Sequence, residues 1–143
     1  MTFEFVHTAP ETTTTLNRMA IIADRAGFSA LVVRNHSDAV SDSFEFETAP
    51  DIPLSVYSGV EIRADSVDQL HGYVGKYVSR DIDVICVHGG DETINRAAVS
   101  VLNIDVLCHP YHARGLAFDH VLVREAAENG VALEFNLSNV LRA

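Results

Sequence analysis

Lysine is nearly missing from this sequence. Lys76 is the only one, nine arginines supply the other bases, and twenty acids oppose them for a formal net charge of −10. That balance argues against tight, non-specific, charge-driven nucleic-acid binding at low salt, though not against a shaped RNA or protein contact. An acidic, lysine-poor surface fits adaptation to high salt, where carboxylates hold water and ions screen their repulsion. An ordinary acidic domain is the other reading. Long hydrophobic runs are also missing: none approaches the roughly 18–20 residues of a membrane span. Met1-Thr2-Phe3-Glu4 lacks the charged and apolar regions of a signal peptide. A cytoplasmic protein with no membrane partner is expected. Cysteine is scarce, and Cys86 and Cys108 both fall inside apolar runs. They read as buried small hydrophobes, not as a disulfide pair or a zinc site. There is no G-x-G-x-x-G, no phosphate-binding P-loop, no G-x-S-x-G and no Cys-x-x-Cys.

What is present is a chain of one-domain size, 143 residues, of which 48% are hydrophobic. Strand candidates recur at 3–6, 30–34, 54–61, 83–87, 106–108 and 131–135. Helical patterns alternate with them. After the Thr12–Thr15 run, any hydroxyl of which could cap a helix, Leu16, Met19, Ala20 and Ala23 share one face, and Gly27 fits the stop. Ser66 and Gln69 match a capping box ahead of the stripe Val67, Leu70, Val74 and Tyr77. Gly89-Gly90 precedes a helix starting at Asp91 with Ile94, Ala97, Ala98 and Val101 inward. Asp119 to Asn129 forms the last helix, with Phe118, Leu122 and Ala126 on one face and Gly130 closing it. The acidic stretch 37–49 reads as a short helix or an irregular crossover. Strict alternation of strand and helix argues for a parallel sheet, and apolar runs such as Val84-Ile85-Cys86-Val87 fit strands covered on both faces. The fold expected is an α/β, TIM-like parallel barrel, a single domain over 1–143. Only about six strands are present where a barrel needs eight. The expectation is therefore a barrel lacking its C-terminal βα units, with a natural six-stranded open sheet as the rival.

Polar residues gather at the strand exits. His7 follows the first strand, Asn35 and His36 the second, Glu61 closes the third, His88 the fourth, His109 the fifth and Asn136 the sixth. In parallel α/β folds that edge is where sites are built. Histidine and carboxylate together are the donor set of hydrolytic metal sites, so His7, His36, Glu61, His88 and His109 are candidate ligands for a divalent metal. Histidines that merely hydrogen-bond to loop backbone are the alternative. Gly89-Gly90 offers backbone N–H groups to an anion, or only a tight turn. Arg114, Arg124 and Arg142 are candidates for phosphate or carboxylate contact, or for surface ion pairs such as Arg124 with Glu128.

The segments Asp105-Val106-Leu107-Cys108-His109-Pro110, Asp119-His120-Val121-Leu122 and Ala126 through Leu137, continued by Leu141-Arg142, resemble the archaeal ribonuclease P protein component 3 family. Its eukaryotic relative is the thirty-kilodalton subunit of nuclear RNase P. Ala26-Gly27-Phe28 and Gly59-Val60-Glu61-Ile62 agree in position. The resemblance implies a TIM-like barrel related to the polymerase-and-histidinol-phosphatase (PHP) superfamily. Those enzymes bind metals with paired histidines on strand one, a strand-two histidine, a strand-three glutamate and a His-Pro near strand five. Here Phe5 stands where the first histidine would be, and His7, His36, Glu61, His88 and His109 are retained as vestigial candidates. The resemblance further implies an RNase P subunit in tRNA processing. The catalytic RNA would use Mg²⁺ to remove the 5′ leader from precursor tRNA, and no side chain of this chain would be catalytic. Component 2 and RNase P RNA would be the partners, precursor tRNA an indirect one, and DNA none. Arg114, His120, Arg124 and Arg142 would be contact residues. The alternative is a PHP-type metal-dependent phosphoesterase.

Overall fold

The computed structural model describes residues 2–38, 54–101, 103–111, 118–136 and 141. They divide into two compact units, 1–61 with 82–84, and 62–81 with 85–143.

The first unit holds β1 (Phe3–Val6), α1 (Leu16–Arg25), β2 (Ala30–His36) and β3 (Ser55–Ile62). Thr15 caps α1, accepting from the Arg18 N–H. Ala20 and Ala23 are the buried face of that helix, packed with Leu31, Val6, Leu16, Phe28 and Leu54. Gly27 adopts φ +87°, a conformation that ends the helix and that side chains resist. Ala30 through Arg34 are all buried, which explains the unbroken apolar run. β1 and β2 pair in parallel, as do β2 and β3. β2 does not stop at Arg34, the expected boundary. Its ladder runs on through Asn35 to His36, opposite Glu61. Glu61 on β3 pairs with both Arg34 and His36, side chains that would otherwise end a strand.

Register and the period-two alternation of strands decide which residues meet. Phe5 pairs with Val32, Arg34 with Gly59 and His36 with Glu61. Phe5, Val32, Arg34, His36, Gly59 and Glu61 therefore share one face.

The second unit holds α2 (Val67–Val78), β4 (Val84–His88), α3 (Glu92–Val101), β5 (Val106–Cys108), α4 (His120–Glu128) and β6 (Ala132–Glu134). β4 pairs in parallel with β5, and β5 with β6. The capping box at α2 forms with a shift. Ser66 Oγ accepts from Gln69 N–H, while Gln69 Oε1 accepts from Asp65 N–H instead of the Ser66 N–H. Leu70, Val74 and Tyr77 are buried as expected. On α4, Asp119 caps by accepting from Leu122 N–H and also pairs with Arg96 at 2.9 Å. Asn129 ties α4 to α3 by donating to the Val99 carbonyl. Cys86 and Cys108 are fully buried thiols. The last strand is shorter than the expected 131–135. Helix α3 departs more: its buried face is Ile94, Asn95, Ala98 and Val99, whereas Ala97 is half-buried. The stretch 39–53 lies outside the described residues. The α/β class with parallel pairing holds within each unit.

Candidate functional site

In the first unit the shared strand face carries a chain of charges. Arg34 and Glu61 are 3% and 0% exposed. Arg34 Nε lies 3.2 Å from Glu61 Oε2, and the other carboxylate oxygen, Oε1, lies 3.3 Å from His36 Nε2. The remaining ring nitrogen, His36 Nδ1, faces Glu11 Oε1. Glu11 Oε2 accepts from the His36 backbone N–H at 2.9 Å and lies 3.2 Å from His7 Nδ1. The His7 and His36 rings stack at 5.0 Å. Beside them Asn35 exchanges two hydrogen bonds with Thr8, holding the loop after β1.

These contacts set the protonation states. Burial alone would push the Glu11 carboxyl up, but hydrogen bonds and charge from His36, with charge from His7, hold it below its ordinary value. Burial likewise opposes an imidazolium at His36. Hydrogen bonds to Glu61 and Glu11, with their charges, outweigh it and hold His36 above its ordinary value. A raised histidine stabilises the fold fully below its unfolded value of about 6.5, and that contribution fades as pH rises through the folded value. A lowered carboxyl contributes above about 4.3 and fades as pH falls through its folded value. The contribution of this pair should therefore peak between about pH 4.3 and 6.5. Denaturation midpoints from mildly acidic to mildly alkaline pH check this. The alkaline decline should flatten in His36→Gln, and an unchanged slope in that variant would refute the assignment.

In the second unit, His88 ends β4 and His109 follows β5. Their rings meet edge to face at 5.2 Å, and His109 Nδ1 lies 3.9 Å from Glu134 Oε1. His109 has φ +50°, in the left-handed region uncommon for a residue with a side chain. Its backbone N–H donates to the Glu134 carbonyl. The Asn95 amide donates to the Pro110 carbonyl at 2.9 Å and accepts from Gly90 N–H at 3.0 Å. The Gly89 N–H donates to the Cys108 carbonyl. Both glycine donors are thus occupied. The Gly89-Gly90 step is a tight turn and not an anion cradle, and Asp91 caps the helix behind it. A cavity of about 300 Å³ opens alongside, lined by Arg63, Asp65, His88, Gly89, Asp91 and Ile94 among others. Tyr111 Oη bridges the Asn136 N–H and carbonyl, and its ring stacks on Phe135.

A family model described as RNase P subunit p30 matches residues 1–143. This chain belongs to the RNase P subunit p30 family. Among p30-type relatives, the ribonuclease P protein component 3 of Natronomonas pharaonis is 45% identical over 141 residues, covering 99% of this chain and 58% of the relative. That of Haloarcula marismortui is 41% identical, over 99% of this chain and 59% of the relative. A chain in the cryo-EM structure of archaeal ribonuclease P with mature tRNA superposes with a TM-score of 0.70 at 27% identity, covering 99% of this chain and 60% of that one. The chain thus spans 58–60% of the length of these p30-family proteins.

For this p30-family member, His7, His36 and Glu61 are brought together in the first unit, as the strand exits suggested, and His88 meets His109 in the second. His120 and Arg124 are exposed on α4, and Arg114 and Arg142 lie outside the described residues. Three residues escaped the sequence reading. Glu11 sits in a loop, 25 residues from its partner His36. Arg34 looked like a strand end. Asn95 was not among the inward residues expected of α3. The signal that finds Arg34 is a charge opposite a glycine and two register positions from a buried carboxylate.

The divalent metal implied by the PHP relation can be tested against these contacts. His7, Glu11 and His36 do place a ligand atom each within 4.8 Å of one another. Glu61 and His36 nevertheless do not fit a metal centre. A ligand imidazole must present a lone pair, and both His36 nitrogens face carboxylate oxygens. Glu61 has a guanidinium on one oxygen and an imidazole on the other.

Proposed function

We propose that this chain is part of a protein subunit of ribonuclease P, working in tRNA processing by supporting the catalytic RNA. The observation that carries the reading is the p30-family match along residues 1–143. The likeness to a chain of archaeal ribonuclease P with mature tRNA supports it. The ion-paired state of Glu61 and His36 favours a scaffold over a catalyst, since neither group is left to activate water. RNase P RNA and component 2 are the proposed partners, with Mg²⁺ used by the RNA. The mechanism is linkage: a protein that binds only the active RNA conformation raises its population. Exposed His120 and Arg124, with Arg114 and Arg142, are the proposed contact residues. The acidic, lysine-poor composition, with relatives from Natronomonas and Haloarcula, supports a cytoplasmic protein adapted to high salt.

Reconstitution tests this. Adding the full-length protein with component 2 to RNase P RNA, at high potassium chloride, should lower the Mg²⁺ concentration needed for leader cleavage. Arg124→Glu should weaken that effect. If omission of the protein leaves both rate and Mg²⁺ requirement unchanged, the assignment fails. The grouping of His7, Glu11 and His36 favours the rival, a PHP-type phosphoesterase. Turnover of phosphate esters with added Mn²⁺ or Zn²⁺, abolished in His36→Ala, would establish that rival instead.

A further inference from the structure

We propose that the Arg34 guanidinium is a resident cation that takes the place of a metal ion on the strand face of the first unit. Its surroundings are built for a flat, permanently charged group. Arg34 Cζ lies 4.3 Å from the centre of the Phe5 ring, a cation–π distance. Phe5 stands where the resemblance to metal-binding relatives places a ligand histidine. An imidazole there would donate a lone pair to a metal, whereas a phenyl face attracts a guanidinium. Gly59, the register partner of Arg34, supplies the room. A Cβ on Gly59 would lie 3.1 Å from Arg34 Cβ and 3.0 Å from Val32 Cγ1. Glu61, the carboxylate of the retained set, forms an ion pair with Arg34, its Oε2 lying 3.2 Å from Arg34 Nε.

Three positions therefore agree: an aromatic in place of a ligand, a glycine that clears the side chain, and a buried acid with its counter-charge fixed by the chain itself. Arg34 supplies Glu61 with a counter-charge without an added ion. Arginine suits this role because it does not lose its proton when buried, as lysine can.

Two measurements on tag-free full-length protein decide the matter. After dialysis against Mn²⁺ or Zn²⁺ and desalting, elemental analysis should find no stoichiometric metal, and a chelator should leave the melting temperature unmoved. A full equivalent of metal that disappears in Glu61→Gln would overturn the proposal. Arg34→Thr should melt at a lower temperature and recover part of the loss with Mn²⁺ or Zn²⁺, because the ion can then reach Glu61. Melting of Arg34→Thr at the wild-type temperature would also overturn it. Where Arg34→Thr does not fold, Arg34→Lys provides the comparison. Arg34→Lys should melt below wild type, because an ammonium keeps the charge but not the flat group over Phe5, and should stay indifferent to metal; stabilisation of Arg34→Lys by Mn²⁺ or Zn²⁺ would overturn the proposal.

Discussion

Glu61→Ala should destabilise the protein by about 3–5 kcal/mol, the range for breaking a buried ion pair from one side. The reason lies in what stays behind. Arg34, 3% exposed, would keep its charge without the Glu61 carboxylate, and His36 would lose an acidic neighbour. The Phe5 ring offsets only part of that, since a cation–π contact is worth on the order of 1–2 kcal/mol. Replacing both members of the pair with apolar residues of similar shape should be far milder, because such replacements are often neutral. Arg34→Met with Glu61→Leu is the double variant, and the coupling between the two sites is read from a double-mutant cycle. Urea midpoints at pH 6 suffice. A loss below about 1 kcal/mol for Glu61→Ala would place the pair among exposed salt bridges and contradict its burial.

The pair also shows how far the sequence can be read. The parallel α/β class was legible because each helix announces itself by a capped apolar stripe and each strand by an apolar run. Strand exits then put His36 and Glu61 on the same list. Their direct contact was not legible, since it depends on a register that sets His36 opposite Glu61. A shift of one residue would turn each side chain to the other face. Arg34 was invisible for the same reason: at the end of an apolar run, an arginine reads as the solvent edge until the next strand is laid beside it. Glu11 needed a loop conformation that no periodicity encodes. On α3 the apolar pattern placed Ala97 and Val101 inward, but the turn before the helix draws Asn95 into the core. A polar group satisfied on both sides is as good a core residue as an alanine, and a count of hydrophobics cannot find it.

Asn95→Leu should cost about 2–4 kcal/mol, although leucine has the same branched heavy-atom skeleton as asparagine and a helix accepts it readily. Asn95 is 0% exposed. Its amide closes two bonds, to the Pro110 carbonyl and from the Gly90 N–H. Leucine leaves both of those backbone groups short of a partner, and each buried unsatisfied group costs about 1–3 kcal/mol. The turn cannot relax toward a new partner easily. A Cβ at Gly89 would sit 2.6 Å from the Cys108 carbonyl oxygen, so strand and turn already touch there. Asn95→Asp separates the two bonds: the acceptor for Gly90 survives, while a carboxylate oxygen is set against the Pro110 carbonyl. It should therefore be no better than leucine at neutral pH and should improve as pH falls, because a protonated carboxyl can donate. Amide exchange locates the effect. Gly90 should lose protection in Asn95→Leu and keep more of it in Asn95→Asp. Equal protection in both variants would mean that the amide does not hold the turn.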